Sequence, residues 1–285
     1  MTKVSIVTHT GCDMNMEEIH GLSARMVSDL VVFEDKTYLN MVEIMPPEFF
    51  AKMKNSSSVT SSHFPVGDML KAMKEASAEA EEVLCLLITS KMSGCYSTAV
   101  VASQLFRRNA GNSRVYIYDT AQCSHGMAIM VREAARMAAQ GLSAAEIITE
   151  LDKMKKRIGV YFVLDSLKYA RKGGRVGTVK MLTADLLGIK PLMVFDEGVV
   201  SDIGIARSMS EGMNSVADKV GEELDPSYEI TVFHGDCPER AARLADMLAA
   251  RFPETEIRIE YIGPVIGIFA GPGTVGAAFM KKNAD

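Results

Sequence analysis

A chain of 285 residues, 48% apolar and 24% charged, has the material for a sizeable core and no signature of disorder. Its net charge of -5 argues against a duplex nucleic-acid binder, whose affinity would come from clustered Lys and Arg. The five cysteines are odd in number and widely spaced, with no C-x-x-C pair and no finger spacing, which predicts free thiols in a reducing cytoplasm and no metal site.

The first half of the chain alternates strand and helix. Residues 4–7 read as a strand, and the residues around it lack the long uncharged run of a secretory signal. No stretch of about 18 apolar residues follows anywhere, so no membrane insertion is expected. A short helix opens at 17–20. The segment 29–40, with strand-like Val31-Val32-Phe33, breaks the rhythm and predicts a small hairpin insertion. Residues 66–82 are amphipathic, with Met69, Leu70 and Met73 on one side. Then come a buried strand at 83–88, a helix at 98–107, a strand at 114–118 and an Ala- and Met-rich helix at 124–140. Strands and helices of this length predict parallel pairing with right-handed crossovers, hence an α/β sheet covered on both faces.

After a helix at 143–157 the rhythm changes. Strand 160–164, short helix 166–172, a hairpin of 190–195 and 199–206 about Asp196-Glu197-Gly198, helix 209–224, strand 230–234, helix 239–252 and strand 257–262 predict a mixed α+β lobe. The expected organisation is an N-terminal α/β domain over 1–156 and a C-terminal α+β domain over 157–285. Twenty methionines with no tryptophan read chiefly as adaptable core packing.

Three polar turns stand out. Thr89-Ser90-Lys91-Met92-Ser93-Gly94-Cys95-Tyr96-Ser97 joins the buried strand to the next helix and aims hydroxyls and backbone N–H groups beyond the strand end, where an anionic group is the natural guest. A hydroxyl cluster at 56–62 and the turn Gly271-Pro272-Gly273-Thr274-Val275-Gly276 repeat the theme. None has an evident catalytic base beside it, so the pattern holds an anion and no catalytic residue is assigned.

The ordered set Thr60-Ser61, Ser93-Gly94-x-Tyr96, Lys168-Tyr169-x-x-Lys172-Gly173-Gly174-Arg175, Leu187-Gly188-Ile189-Lys190-Pro191, His234-Gly235-Asp236 and 262–274 with its Gly-Pro turns resembles the DegV family over nearly the whole chain. The resemblance implies a two-lobed fold that binds a long-chain fatty acid between its lobes, with no cofactor. Its carboxylate is then held by Thr60 and Ser93, with Ser61 and Gly94 as close neighbours. The resemblance further implies a partner, the catalytic subunit of a fatty acid kinase, docked through Arg175 and Arg207.

Departures from that pattern gather in one region. Phe269 stands where the family has a His, before Gly271, and can neither donate a hydrogen bond nor carry charge. Thr8-His9-Thr10 replaces Thr-Asp-Ser, His63 ends what is usually Thr-Ser-Gln-Pro, and Cys95 replaces a Thr. His9 or His63 is expected near the vacated donor, weighed against an ordinary structural imidazole. Two other classes compete. A serine-dependent lipid hydrolase would use Ser93, but Lys91-Met92-Ser93-Gly94-Cys95 is not a Gly-x-Ser-x-Gly elbow. A phosphate- or nucleotide-binding module would use the glycine turns, yet neither fits a phosphate-loop or dinucleotide spacing.

Overall fold

The computed structural model describes residues 2–109, 113–174 and 188–283, and its contacts divide the chain into two compact units. The first comprises Met1–Ile44 and Ser61–Lys156, the second Met45–Thr60 and Arg157–Asp285.

In the first unit, β1 (Thr2–His9), β2 (Arg25–Val27), β6 (Ala80–Leu87) and β7 (Arg114–Asp119) form one sheet ordered β2-β1-β6-β7, every neighbour parallel. A parallel sheet hides both faces, so its central strand must be apolar on both sides. In β6 every residue but Glu81 is buried. Helices α1 (Met16–Gly21), α3 (Val66–Ser77), α4 (Cys95–Asn109), α5 (Ser124–Ala139) and α6 (Ala144–Lys155) supply the cover. The helix expected over 66–82 stops at Ser77, because Ala80 is already paired with Thr2 in the sheet. α6 starts at a capping box, in which Ser143 and Glu146 each bond the other's backbone N–H. An antiparallel hairpin of β3 (Leu30–Phe33) and β4 (Thr37–Leu39) gains a third strand in β5 (Val59–Ser62), whose residues 61 and 62 belong to this unit.

In the second unit six strands run β10-β9-β8-β13-β11-β12. They are β8 (Ile158–Val163), β9 (Lys190–Asp196), β10 (Val199–Ala206), β11 (Ile230–His234), β12 (Ile257–Tyr261) and β13 (Val275–Met280). Only β11 and β12 pair in parallel. Glu197 and Gly198, both at positive φ, make the two-residue turn between β9 and β10, the primed geometry that matches strand twist. β13 is central and wholly buried, and glycine lies opposite phenylalanine at two of its pairs with β8. Phe279 covers Gly159 and Phe162 covers Gly276, so neither glycine has room for a Cβ.

Helices α8 (Met209–Glu223) and α9 (Pro238–Arg251) bury Val216, Val220, Leu244 and Leu248 in a core with Val232, Val275 and Phe279. The short helices are α2 (Pro46–Lys54), α7 (Lys168–Gly173) and α10 (Pro264–Ala270). Phe49 and Phe50 of α2 are fully buried and lie against Gly267 of α10. The parallel-sheet α/β lobe and the separate mixed lobe expected from the sequence are both present. Among the described residues, no helix is long and apolar enough to cross a membrane.

Candidate functional site

From β1 the first sheet grows to one side, to β2, and then to the other, to β6 and β7. Open parallel sheets take ligands outside the carboxyl ends of their strands at such a reversal, where the flanking loops part. His9 ends β1, Ile88 follows β6 and Cys95 opens α4, so the reversal brings these three segments together. Ile88 N–H donates to His9 Nε2 at 3.1 Å, tying the two strand ends. The other ring nitrogen, Nδ1, lies 2.7 Å from Asp29 Oδ2. Thr10 Oγ1 donates to the same carboxylate at 3.2 Å and accepts Asp29 N–H at 2.9 Å. Cys95 Sγ is 3.5 Å from Asp29 Oδ1, and Ser93 Oγ is 3.1 Å from that sulfur while accepting Cys95 N–H at 3.3 Å. A chain of donors thus runs from Ser93 through Cys95 to Asp29.

His9, Cys95 and Asp29 are 0%, 2% and 3% exposed. Burial disfavours an imidazolium at His9, while Asp29 and Cys95 favour one more strongly and on electrostatics alone lift its pKa well above the ordinary value. Hydrogen bonding opposes that second proton. Nε2 already accepts Ile88 N–H, and a proton there would face another donor. Asp29, a carboxylate, can only accept, so Nδ1 carries a proton and donates to it, with Gly11 N–H also aimed at Nδ1 at 3.3 Å. The same geometry bears on metals. Nδ1, a carboxylate oxygen of Asp29 and Cys95 Sγ lie within 4.8 Å of one another, a donor set that suits a transition metal. A metal on Nδ1 would move the ring proton to Nε2, against Ile88 N–H, so the trio is a hydrogen-bond network in this conformation.

Of the residues singled out in the sequence, Ser93 is half-buried and Gly94 exposed. His63 flanks Gly94, where a Cβ would stand 3.4 Å from His63 Cε1. Ser61 is half-buried and Thr60 exposed on β5, with Thr60 counted in the second unit. Also in the second unit, Phe269 packs on Gly173, and Gly271, at φ 78°, lies against Tyr169. Arg207 is exposed, its backbone N–H bonded to Glu211. Arg175 lies outside the described residues. Sequence reasoning did not find Asp29, a single acid in a strand-like apolar stretch, 20 residues from the histidine it holds.

The glycine turn after α10 uses its polar groups internally. Gly273 N–H donates to Gly235 O at 2.6 Å, Arg240 Nη1 donates to Gly273 O at 2.9 Å, and Thr274 Oγ1 donates to Ala270 O at 2.8 Å. The Gly273 N–H and the Thr274 hydroxyl, the donors a phosphate would call on there, are thus already engaged. His234 Nδ1 accepts Cys237 N–H at 3.2 Å and its ring rests on Tyr261, so no carboxylate orients it as in a triad.

A parallel sheet with a polar turn at its reversal point, followed in the same chain by a mixed six-stranded sheet, defines a two-unit α/β protein. The family model described as "Uncharacterised protein, DegV family" matches residues 3–282. This chain belongs to the DegV family. A DegV domain-containing protein of Clostridium acetobutylicum is 30% identical over 281 residues, 98% of either chain. One of Halalkalibacterium halodurans is 29% identical, over 98% of this chain and 99% of the relative. Among solved structures, DegV of Bacillus subtilis, described as a fatty acid binding protein, matches with TM-score 0.88 at 26% identity, covering 99% of this chain and 100% of that one. A DegV family protein of Thermus thermophilus, described by its fatty acid binding, matches with TM-score 0.88 at 27% identity, covering 98% of this chain and 99% of that one.

Proposed function

We propose that this chain binds a long-chain fatty acid and presents it to a separate ATP-using kinase subunit, doing no chemistry alone. The carboxyl group is held by the hydroxyls of Thr60, Ser61 and Ser93 and by the backbone at Gly94. The supporting observation is the polar turn of Ser93 and Gly94 at the reversal point of the first sheet, in a family with solved members described as fatty acid binding. Arg175 and Arg207 dock the partner.

The energetics suit a carrier. A tail of about fifteen methylenes at roughly 0.8 kcal/mol each gives about 12 kcal/mol of gross burial, against association costs of about 4–15 kcal/mol. The tail supplies affinity, and the polar end supplies orientation. A hydrolase is less well supported. Both bonds of Ser93 Oγ are to Cys95, and no imidazole is among its partners.

Native mass spectrometry of the purified protein is expected to find a co-purifying acid of roughly C14 to C18, the length that such burial favours. Ser93→Ala is expected to weaken its binding by about tenfold or more, since hydrogen bonds to a polar head are worth about 1–3 kcal/mol. A protein that neither carries nor takes up any such acid refutes the assignment. Charge reversal at Arg175 and Arg207 is expected to abolish capture of a kinase subunit while leaving lipid binding intact.

A further inference from the structure

Ser93 faces a ligand as an acceptor more than as a donor. Its hydroxyl donates to Cys95 Sγ at 3.1 Å and the thiol donates onward to Asp29 Oδ1 at 3.5 Å, so both protons run inward. Cys95 N–H occupies one lone pair of Ser93 Oγ, which leaves the other for a guest. The relay ends on a buried carboxylate. Asp29 is bonded by His9 from β1, by Thr10 from the turn after it and by Cys95 from α4. His9 Nδ1 lies 2.7 Å from one of its oxygens, and Ile88 N–H is aimed at the ring's other nitrogen. Around this end stand His63, exposed beside Gly94, Lys91, exposed in the same turn as Ser93, and Asp119, which accepts Ser90 N–H. Among the described residues, no Lys or Arg is hydrogen-bonded to Ser93, Cys95, His9 or Asp29.

At the Ser93 hydroxyl a carboxylate therefore meets an acceptor where it needs a donor, leaving the backbone at Gly94 and the hydroxyls of Thr60 and Ser61 to donate, with the buried Asp29 carboxylate at the far end of the relay. Buried like charges raise the pKa of the group they face, because two anions in one desolvated site are costly. An undissociated acid or a primary alcohol brings the missing proton itself. We infer that this chain takes its lipid in an uncharged form with a hydrogen-bond-donating head, and that Asp29, acting through Cys95 and Ser93, sets this preference. The inference rests on the lipid-binding assignment and names the state of the ligand.

The test compares palmitic acid with hexadecanol at about pH 6 and about pH 9, well above the ordinary range of a carboxyl group. The full chain, Asp29→Asn and Cys95→Ala are titrated, with circular dichroism to establish folding. In the unaltered chain the affinity for the acid is expected to fall by up to about tenfold per pH unit. The alcohol does not titrate and reports any change in the protein itself.

Asp29→Asn removes the charge, and Cys95→Ala frees the Ser93 hydroxyl to turn outward. Each is expected to improve acid binding at high pH by about tenfold while changing alcohol binding by less than about threefold. Should one variant not fold, the other carries the same expectation. Tight acid binding that is flat with pH, with an acid-to-alcohol ratio unmoved by the variants, overturns the inference and leaves lipid binding standing. Binding of neither ligand overturns the assignment beneath it.

Discussion

Replacing His9 with Ala is the most direct test of the network at the reversal of the first sheet. The ring donates to Asp29, accepts Ile88 N–H and meets Phe64 edge-on at 5.4 Å between centroids. Its loss leaves Asp29 buried with only a hydroxyl and a thiol, and strips Ile88 N–H of its acceptor. The lost bond to a charged group is worth about 1.5–3 kcal/mol and an orphaned buried donor about 1–3 kcal/mol. A ring-sized void adds to this, so His9→Ala is expected to cost about 3–6 kcal/mol, a large share of the roughly 5–15 kcal/mol of an ordinary domain. Hydrogen exchange at β1 and β6 amides reads the loss within the first unit, where whole-chain unfolding could blend two transitions. Adding Asp29→Asn to His9→Ala removes the stranded charge and is expected to restore at least about 1.5 kcal/mol. A cost under about 1 kcal/mol, or a strictly additive double variant, would refute the paired geometry.

In the second unit, Gly276→Ala would set a Cβ 2.5 Å from the Tyr161 carbonyl oxygen and against Phe162. The central strand cannot yield without breaking its pairing, so a loss of about 1–3 kcal/mol is expected by calorimetry, and an unchanged melting temperature would contradict the register of β8 and β13. Burial pushes the thiols of Cys12 and Cys85 up to about 12 and that of Cys237 to about 11. Ellman's reagent at about pH 8 is therefore expected to react slowly with these three in the native protein and fully after denaturation; rapid labelling of Cys85 would contradict a buried β6. Burial disfavours the charged form of Asp165, but Lys190 and Arg240 more than offset it and hold the carboxyl below its ordinary value of 3.8. That contribution to stability is present above the ordinary value and lost as pH falls through the depressed one. Asp165→Asn should accordingly be less stable than the parent at about pH 7, with the gap closing by about pH 2. Equal gaps in urea midpoints at both pH values would count against the pairing.

In the first unit β1, β6 and β7 were legible because each is a short, largely apolar run bounded by polar turns, as in 83–88 and 114–118, whereas the three residues of β2, opening on Arg25, carry no such pattern. β13 was not legible. Gly276, Ala277 and Ala278 have low strand propensity, and they serve because Phe162 and its neighbours fill the space that larger side chains would need. Nor does the local pattern of α2 say which core Phe49 and Phe50 enter; their contact with Gly267, more than two hundred residues on, does. At the candidate site, the hydroxyl turn around Ser93 announced itself through the strand before it. Asp29 did not, since a single acid after Ser28, at the head of an apolar run, looks like any loop carboxylate until the fold sets it beside His9.

The place of β13 in the second sheet has a consequence for how that sheet is assembled. It lies between β8 and β11, yet it leaves the ribosome after every other strand of the sheet. Until Val275–Met280 emerges, two half-sheets each expose an unpaired edge of backbone groups, a template for pairing with another chain. Nascent or truncated forms are thus the ones open to aggregation, and a chaperone that shields strand edges would matter most in the last moments of synthesis.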